Sequence, residues 1–350
     1  MSGCCGAGSS CCTASAAARR VGHGLTLADK LGMARMRLGI GRASYRVEPG
    51  LYALGEPDAT APVLVTGNYK FTFDVVRSAA SGVDAWLLVL DTKGINVWCA
   101  AGKQTFGTRE LCSRIMQTRL DEVVDHRTLI LPQLGAPGVA AHEVTAFTEF
   151  EVVYGPVRAH DIPAFLAAGL VATPEMRRVT FGVRDRAALI GVELAAFVRP
   201  RRLAGVAALV AASGLTADGF TLQALFARGA TLLVAAVGGV LAAAATMVAL
   251  PWLPFRSFAA KGALAGGAAG AALVWFAAPY VGWLAATGAG LACAVLASYE
   301  AMNYTGSSAI TSPSGVEHEM RRAIPAQAVA ALLAVVLWIA SAFMWTSRGV

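Results

Sequence analysis

Residues 85–103 read AWLLVLDTKGINVWCAAGK, and this stretch predicts both a buried strand and the short helix that follows it. The run AWLLVLD (85–91) has the length and apolar character of a strand covered on both faces. Asn96 is a good helix N-cap and Gly102 a natural stop, so the residues between them are expected to be helical. Cys99 would then lie on a helix that begins just beyond a strand end.

The segments around this stretch alternate between strand-like and helix-like patterns. Strands are predicted at PVLVTG (62–67), TLILPQL (128–134) and FEVVYGP (150–156), and helices at FTFDVVRSAAS (71–81) and TRELCSRIMQTRL (108–120). Such alternation predicts a Rossmann-like α/β domain with a parallel sheet and crossover helices. Ligands of these sheets bind beyond the carboxyl ends of the strands, where Thr66 and Asp91-Thr92 are expected.

Charge divides the 350-residue chain into two halves. The protein is 56% apolar and only 15% charged, with a net charge of +7, and only ten charged residues lie beyond Arg202. A membrane-spanning helix needs about 20 mostly apolar residues. The uncharged runs 229–255, 262–299 and 323–347 meet that length, so the second half is predicted to be an all-α transmembrane domain.

Three regions are predicted. Residues 1–59 would form a Cys-rich flexible tail and lead-in, residues 60–199 the α/β domain, and residues 200–350 a membrane domain of about five helices. The spans are expected at 203–220, 230–250, 262–280, 281–299 and 325–346. The first span is the weakest because it ends in Thr216 and Asp218, and four spans remain without it.

The basic residues orient the membrane domain. With five spans, Arg256, Lys261 and the loop 300–324 all face the cytosol, together with the amino-terminal half, and Val350 lies outside. No apolar core of a secretory signal is apparent, so we expect a multi-pass protein of the cytoplasmic (inner) membrane. Basic loops that stay on the cytosolic side of the membrane explain the net positive charge. The sequence contains no basic patch interleaved with aromatic residues, so nucleic-acid binding is not predicted.

The role of Cys99 has several interpretations from the residues alone. Free N–H groups at a helix start, with Lys103 nearby, favour a thiolate. A nucleophilic cysteine commonly needs a histidine base, and none of the five histidines forms an obvious partner motif. One cysteine cannot build a structural zinc site, but it can supply one axial ligand to a metal held in a macrocycle. A small buried thiol that only packs remains an open alternative.

The octapeptide N-V-W-C-A-A-G-K (96–103) resembles the cap-helix signature of the mercury-methylating corrinoid protein family. NYTGSS and TSPSGVEHEM (303–320) resemble that family's polar loop between its last two membrane helices. The order of an α/β domain followed by about five spans also agrees, so the resemblance covers roughly 60–346. The related corrinoid iron–sulfur protein of acetyl-CoA synthesis carries a four-cysteine cluster motif that is not apparent here.

This resemblance implies a cobalamin cofactor whose cobalt takes Cys99 as its lower axial ligand. It implies that small residues near the cysteine let the backbone approach the corrin, and it makes Thr66 a further corrin contact. Gln104 departs from the glycine expected after the lysine. The residues that would form the presenting helix are Asn96, Val97, Trp98, Ala100, Ala101, Gly102 and Lys103.

The implied activity is that of a corrinoid-dependent methyltransferase. It would pass a methyl group from methyl-cobalamin to Hg(II), forming methylmercury. A methyl-folate-dependent methyltransferase would supply the methyl group, and a ferredoxin-like [4Fe–4S] protein would reduce the cobalt. The alternative is a related membrane corrinoid methyl carrier of one-carbon or acetyl-CoA metabolism with a different acceptor. A transporter is disfavoured because the spans hold almost no charged residues.

Other candidate ligands are weaker. Soft thiolates prefer soft metals, so Cys4, Cys5, Cys11 and Cys12 could bind Hg(II), or they could be incidental residues of a tail. Glu317, His318 and Glu319 are adjacent, so they cannot all point one way on a helix. Cys112 and Cys293 are expected to pack in the interior.

Overall fold

The computed structural model describes residues 18–308 and 310–345, which form two compact units. The first unit ends at Val179 and the second begins at Thr180, with Arg37–Ile40 also belonging to the second. The boundary therefore lies before the predicted position at residue 199. The physical reason is that α7 (Val183–Phe197) packs with helices of the membrane unit.

The first unit is a mixed α/β unit around a six-stranded sheet. The strand order is β1-β2-β4-β3-β5-β6. The four strands β4, β3, β5 and β6 are mutually parallel, as predicted, whereas β2 runs antiparallel to β4. Its elements are β1 (Arg19–Val21), α1 (Leu27–Arg37), β2 (Gly50–Leu54), β3 (Val63–Gly67), α2 (Lys70–Ala79), β4 (Ala85–Leu90), α3 (Val97–Gly102), α4 (Thr108–Thr118), β5 (Thr128–Leu131), α5 (Ala141–Thr148), β6 (Glu151–Tyr154) and α6 (Ile162–Ala167).

Part of the predicted lead-in belongs to the sheet. β1 and β2 lie within the region 1–59, which we expected to be a flexible tail and lead-in. The strand β2 pairs along its whole length with β4, and Leu54 is fully buried. The run GLYAL has no β-branched residue, unlike the runs that form β3, β4, β5 and β6, so its composition did not mark it as a strand.

Both faces of the central strands are covered by helices, and this explains their unbroken apolar sequence. Leu88 and Leu90 of β4 belong to the core that includes α4 and α5. Leu87 and Val89, which point to the other face, pack with Phe73 of α2 and with α6. Alternate residues of one strand therefore serve two cores, as in doubly covered parallel sheets.

A buried network of ion pairs attaches α1 to α2. Asp74 is fully buried and accepts from Lys70 Nζ at 2.7 Å and from Arg77 Nε at 2.8 Å. Asp29 of α1 accepts from the same two cations, at 2.6 Å from Lys70 and 2.7 Å from Arg77. Arg77 also donates to Gly22 O at 2.8 Å, so the network holds the chain from β1 into α1.

In the second unit, four helices are long and apolar enough to cross a membrane, counted among the described residues. The predicted span 203–220 is not a continuous helix, because α8 ends at Ala212 and a hairpin follows. At about 1.5 Å per residue its 13 residues are shorter than a bilayer core. The elements are α7, α8 (Pro200–Ala212), β7 (Leu215–Thr216), β8 (Gly219–Phe220), α9 (Leu222–Ala249), α10 (Phe258–Val281), α11 (Trp283–Asn303) and α12 (Pro313–Phe343).

Although α8 is short, it runs along the bundle formed by α9–α12. Near its start, Arg202 pairs with Glu300 of α11, with Nη1 and Oε1 2.6 Å apart. Beyond its end, Leu215 O accepts at 3.0 Å from Arg228, which lies in the second turn of α9. The chain thus passes from the Glu300 end of the bundle to the opposite end before α9 begins. The sidedness relative to the cytosol stays a prediction.

The polar loop between α11 and α12 is shorter than the expected 300–324. α11 continues to Asn303, and α12 begins at Pro313 with Ser312 as its N-cap, which accepts from Gly315 N at 3.1 Å. Serine followed by proline is a common start of a helix, so the sequence did contain this signal. Glu317, His318 and Glu319 therefore lie on α12 rather than in a loop.

Three glycines spaced four residues apart bring α10 against α11. A Cβ added at Gly266 would lie 2.4 Å from Ala297 Cβ, and one at Gly270 would lie 2.3 Å from Gly290 O. A Cβ added at Gly262 would lie 2.5 Å from Ala297 O. Small residues at this spacing let membrane helices pack backbone to backbone.

The ion-pair network predicts that α1 detaches in acid. Partial burial alone would raise the pKa of Asp29, but hydrogen bonds from Lys70, Thr26 and Arg77 outweigh it and hold that pKa well below its ordinary value of 3.8. The stabilisation is therefore complete at neutral pH and is lost as the pH falls below about 4. Hydrogen exchange of α1 amides should accelerate over that range. Asp29→Asn should reduce the stability of α1 docking by about 1–3 kcal/mol at pH 7.

The matched control is Glu48→Gln, which removes an exposed carboxylate that pairs with Arg19. It should leave α1 exchange unchanged. Equal acceleration in the two variants would contradict a specific role for the buried network.

Candidate functional site

The loop between β4 and α3 is held by Asn68, which lies directly beyond β3 and is 2% exposed. Its side-chain oxygen accepts from Thr92 N at 3.1 Å and Gly94 N at 2.9 Å. Its amide group donates to Asp91 Oδ1 at 3.0 Å. Thr92 in turn donates to Ile95 O at 2.7 Å. The loop that leads to α3 is therefore fixed to the neighbouring strand end.

Helix α3 begins as the sequence predicts. Asn96 is its N-cap, and the Asn96 side chain accepts from Cys99 N at 2.9 Å. The N–H group of Cys99 is thus paired, whereas we expected free N–H groups at this position. The Cys99 side chain is exposed to solvent.

The inward face of α3 is part of the core. Val97, Ala100 and Ala101 are buried in the cluster that includes Phe106. A Cβ added at Gly138 would lie 2.1 Å from Phe106 O and 2.9 Å from the Cα of Ala101. Ala100 and Ala101 therefore let α3 lie close to the 3-10 helix Gln133–Gly138, and they do not face a ligand as we expected. Their small size serves packing inside the unit.

The outward face of α3 carries the exposed part of the octapeptide. Trp98 is 41% exposed, and Cys99 follows it on the same surface of the unit. Gly102 and Lys103, at the end of the helix, are also exposed. The octapeptide therefore divides into a buried half that positions the helix and an exposed half that includes the thiol.

A cavity of about 260 Å³ lies beside this helix, at the carboxyl ends of β3, β5 and β6. Asn96, Val97 and Trp98 line one side, and Thr66 lies at the end of β3. Cys99 is not among the lining residues. The other walls come from α2 and from the segments that follow β5 and β6, and they include Thr72, Val75, Val76, Leu131, Pro132, Gly155, Pro156 and Val157.

Thr66 is a buried residue with an unsatisfied hydroxyl. It is 1% exposed, and its Oγ1 has no hydrogen-bond partner among the described residues. Leaving a buried polar group unpaired costs about 1–3 kcal/mol. A ligand in the cavity that bonds to this hydroxyl would recover that free energy, so Thr66 is suited to contact a bound molecule.

The sequence-predicted residues thus fall into separate groups. Thr66, Asn96, Val97 and Trp98 meet at the cavity, and Cys99 is exposed on the adjoining helix surface. Within 18–308 and 310–345, no three His, Cys, Asp or Glu side chains are grouped so that they could hold a metal ion, so Cys99 offers a single ligand there. The predicted ligands Cys4, Cys5, Cys11 and Cys12 lie outside the described residues.

Two other cysteines are interior residues, as predicted. Cys112 lies on α4 in the core, and burial raises the pKa of its thiol. Cys293 is buried in α11. Neither thiol resembles the exposed Cys99.

Asn68 is a residue that the sequence analysis missed. It follows β3 in the string TGNY, and polar residues at strand ends had already drawn attention to Thr66 and Asp91. The same signal would have identified it. What the sequence could not show is that its side chain reaches the loop after β4 and fixes the approach to α3.

Comparison with known proteins relates the α/β unit to proteins of acetyl-CoA metabolism. Residues 37–166 match the family described as CO dehydrogenase/acetyl-CoA synthase delta subunit. Over 127 residues the chain is 34% identical to the acetyl-CoA decarbonylase/synthase complex subunit gamma of Methanopyrus kandleri, which covers 36% of this chain and 27% of that protein. Over 129 residues it is 30% identical to the corrinoid/iron-sulfur protein large subunit of Moorella thermoacetica, covering 36% and 28%.

The chain therefore spans about a quarter of the length of these curated relatives. The family match covers the α/β unit from β2 to α6 and ends at residue 166, before the helices that begin at Val183. The similarity supports a relationship between this unit and corrinoid proteins. It does not cover the four candidate membrane helices.

The contacts of Asn68 predict that Asn68→Ala loosens the loop and α3. The Gly94 N–H loses the Asn68 acceptor, so its hydrogen exchange should rise by about tenfold or more; the rise at Thr92 should be smaller, because Leu90 O also accepts from its N–H at 3.0 Å. Mass spectrometry of exchange in residues 91–102 would measure this. Gln117→Ala removes an exposed amide that bonds only to Ser113, and it should change nothing in that segment. Unchanged exchange in Asn68→Ala would refute the assigned positioning role.

Proposed function

We propose that the chain is a membrane-attached methyl carrier whose α/β unit binds a cobalamin-type corrinoid, with the Cys99 thiolate as the lower axial ligand of cobalt. The observation that carries this proposal is the exposed Cys99 on a short, well-anchored helix beyond the carboxyl end of β4. The similarity of the same unit to a corrinoid protein supports it. A bound corrinoid would supply a cobalt centre that accepts and releases a methyl group.

The donor groups present suit such a cofactor, of which the cavity of about 260 Å³ would hold only a part. A thiolate is one of the axial ligands that proteins offer to a metal in a macrocycle. The Thr66 hydroxyl is free to bond to the cofactor, and Trp98 offers an exposed aromatic surface at the cavity. Gly102 and Lys103 are exposed at the end of the same helix and could contact the cofactor's edge.

The chain's own contribution is to hold the sulfur still. Asn96 caps the first turn of α3, and Ala100 and Ala101 fasten the helix to the core. Asn68 fixes the loop that precedes it. If a metal is bound, Cys99 would be one of the residues that hold it, and the anchored helix would keep the Cys99 backbone in place.

The methyl acceptor has two candidates. The similarity to subunits of acetyl-CoA-metabolising complexes favours a carrier of one-carbon metabolism. The resemblance of the octapeptide at 96–103 to the mercury-methylating family favours Hg(II) as the acceptor, with methylmercury as product. In both cases we propose a ferredoxin-like [4Fe–4S] protein as electron donor and a methyl-folate-dependent methyltransferase as methyl source. We further propose that the α/β unit lies in the cytosol.

The role of Cys99 predicts that Cys99→Ala removes the thiolate signature from the absorption spectrum of the corrinoid-loaded protein. Methyl transfer should fall by about a hundredfold or more, because an axial ligand is a main control of such a metal. The variant should still be found in the membrane. Cys112→Ala, which deletes a core thiol of the same unit, is the control and should keep the signature. Full activity of Cys99→Ala would overturn the proposal.

The free hydroxyl of Thr66 predicts an unusual effect of Thr66→Val. The isosteric change removes no hydrogen bond, so the stability of the cofactor-free protein should stay equal or rise by up to about 1 kcal/mol. Affinity for the corrinoid should fall about five- to tenfold, as expected for one lost hydrogen bond. Thr92→Val serves as contrast, because its hydroxyl is already bonded and its loss should lower stability. A stable Thr66→Val with unchanged affinity would exclude the contact.

The two acceptors are separated by supplying isotopically labelled inorganic mercury to cells that contain the protein and its electron donor. Labelled methylmercury above the level of Cys99→Ala cells would support the mercury acceptor. If corrinoid is bound and methylated but no methylmercury forms, the mercury acceptor is excluded and the one-carbon carrier is retained.

A further inference from the structure

A cavity of about 820 Å³ lies within the membrane unit, between α10, α11 and α12. Its walls consist largely of alanines, whose short side chains leave the space between the helices unfilled. Those alanines are Ala259, Ala260 and Ala263 of α10, Ala294 of α11, and Ala323, Ala326 and Ala330 of α12. Such a wall is suited to hydrocarbon.

One end of this cavity carries two unpaired arginines. Arg256 and Arg322 are exposed, and neither forms an ion pair or hydrogen bond with any residue that the structure describes. Glu319, which also lines the cavity, is already occupied: it accepts from Ser257 Oγ at 3.0 Å and Ala259 N at 2.7 Å. The mouth therefore has two free cations and a satisfied carboxylate, a combination that favours an anion.

Deeper in the cavity, Gln327 presents a buried acceptor that has no donor. The residue is 9% exposed, and its Nε2 donates to Ser298 Oγ at 2.9 Å. The Ser298 hydroxyl gives its only proton to Ala259 O at 3.0 Å, so it must accept from the amide, and this fixes the orientation of Gln327. The remaining atom, Gln327 Oε1, has no partner among the described residues.

These three features select one kind of occupant. The arginines call for an acidic group, Gln327 Oε1 calls for a hydroxyl or similar donor, and the alanine walls call for an acyl chain. Arg322 and Gln327 are separated by a rise of about 7.5 Å along the axis of α12, which is the scale of a single headgroup. Basic residues at this end predict the cytoplasmic face of the membrane, where anionic lipids are abundant.

We propose that this cavity binds one phospholipid whose anionic headgroup carries free hydroxyls, as in phosphatidylglycerol. Arg256 and Arg322 contact the phosphate, a headgroup hydroxyl donates to Gln327 Oε1, and an acyl chain lies along the alanine walls. The site is independent of the corrinoid proposal, because every residue that forms it lies in the second unit.

The test uses the full-length protein in detergent with three lipids that have the same acyl chains. Phosphatidylglycerol has charge and hydroxyls, phosphatidylmethanol has the charge without hydroxyls, and phosphatidylcholine is zwitterionic. Native mass spectrometry would count the lipids retained. One phosphatidylglycerol should remain, preferred about tenfold over phosphatidylcholine and about threefold or more over phosphatidylmethanol.

The variants assign each preference to its residues. Arg256→Gln with Arg322→Gln should abolish the preference for charge. Arg321→Gln is the matched control, because Arg321 neighbours Arg322 but pairs with Glu317 at 2.7 Å outside the cavity. Gln327→Leu should abolish only the preference for phosphatidylglycerol over phosphatidylmethanol.

Three results would overturn the proposal. Equal retention of all three lipids by the unmodified protein would show that the cavity makes no selection. An equal loss of preference in Arg321→Gln and in the double variant would show general surface attraction instead of a site. If Gln327→Leu remains monodisperse and keeps the preference for hydroxyls, Gln327 is not the acceptor.

Discussion

The parallel pairing of β3 with β4 is the constraint on which the candidate site depends. It places Asn68 beside the loop Asp91–Gly94, because parallel neighbours end at the same edge of the sheet. The buried amide of Asn68 then replaces the ladder contacts that the two strands can no longer make. The fixed loop Asp91–Gly94 sets the direction in which the chain enters α3, and on that helix Cys99 is exposed.

The helix that bears Cys99 combines two requirements that conflict in most short helices. In the proposed role it must be fixed, and it must still expose the Cys99 side chain. The six residues of α3 achieve both, since Ala100 and Ala101 are fully buried while Trp98 and Cys99 remain on the surface. The close approach of Gly138 to Phe106 and Ala101 shows how little space separates the helix from the chain beneath it.

The membrane unit depends on small residues and on a few buried polar contacts. Gly266 and Gly270 allow α10 to touch α11, while Arg228 ties the hairpin to the end of α12 through Trp338 O at 2.7 Å. A buried arginine in a membrane helix is costly, and here its hydrogen bonds to backbone carbonyls offset that cost. The same richness in small residues has a second effect, because the alanines between α10 and α12 leave a cavity there.

The sequence predicted correctly those elements that depend on neighbouring residues, such as apolar strands and a helix cap. Strands β3, β4, β5 and β6 are confirmed from apolar runs, and Asn96 is the N-cap that its residue type indicated. β2 was missed because its five residues, GLYAL, include no β-branched residue. The segment 203–220 was assigned as a span because hydropathy does not register the turn between Thr216 and Gly219.

The site was predicted only in part, for a related reason. The pattern V-W-C-A-A identified a helix but not which of its faces is inward, so Ala100 and Ala101 were expected to face a ligand. Which face of α3 is inward depends on its packing against Phe106 and Gly138. Gly138 is far from α3 in the sequence, so a pattern of six residues cannot show that the two pack together. Tertiary contacts decide which half of the octapeptide is exposed.

The most direct measurement of the central claim is X-ray absorption at the cobalt edge of the corrinoid-loaded protein. The account predicts one sulfur neighbour of cobalt in the unmodified chain, and its loss in Cys99→Ala with the corrinoid still bound. Only nitrogen and oxygen neighbours in the unmodified protein, or a sulfur neighbour that persists in Cys99→Ala, would contradict the assignment of Cys99 as the axial ligand.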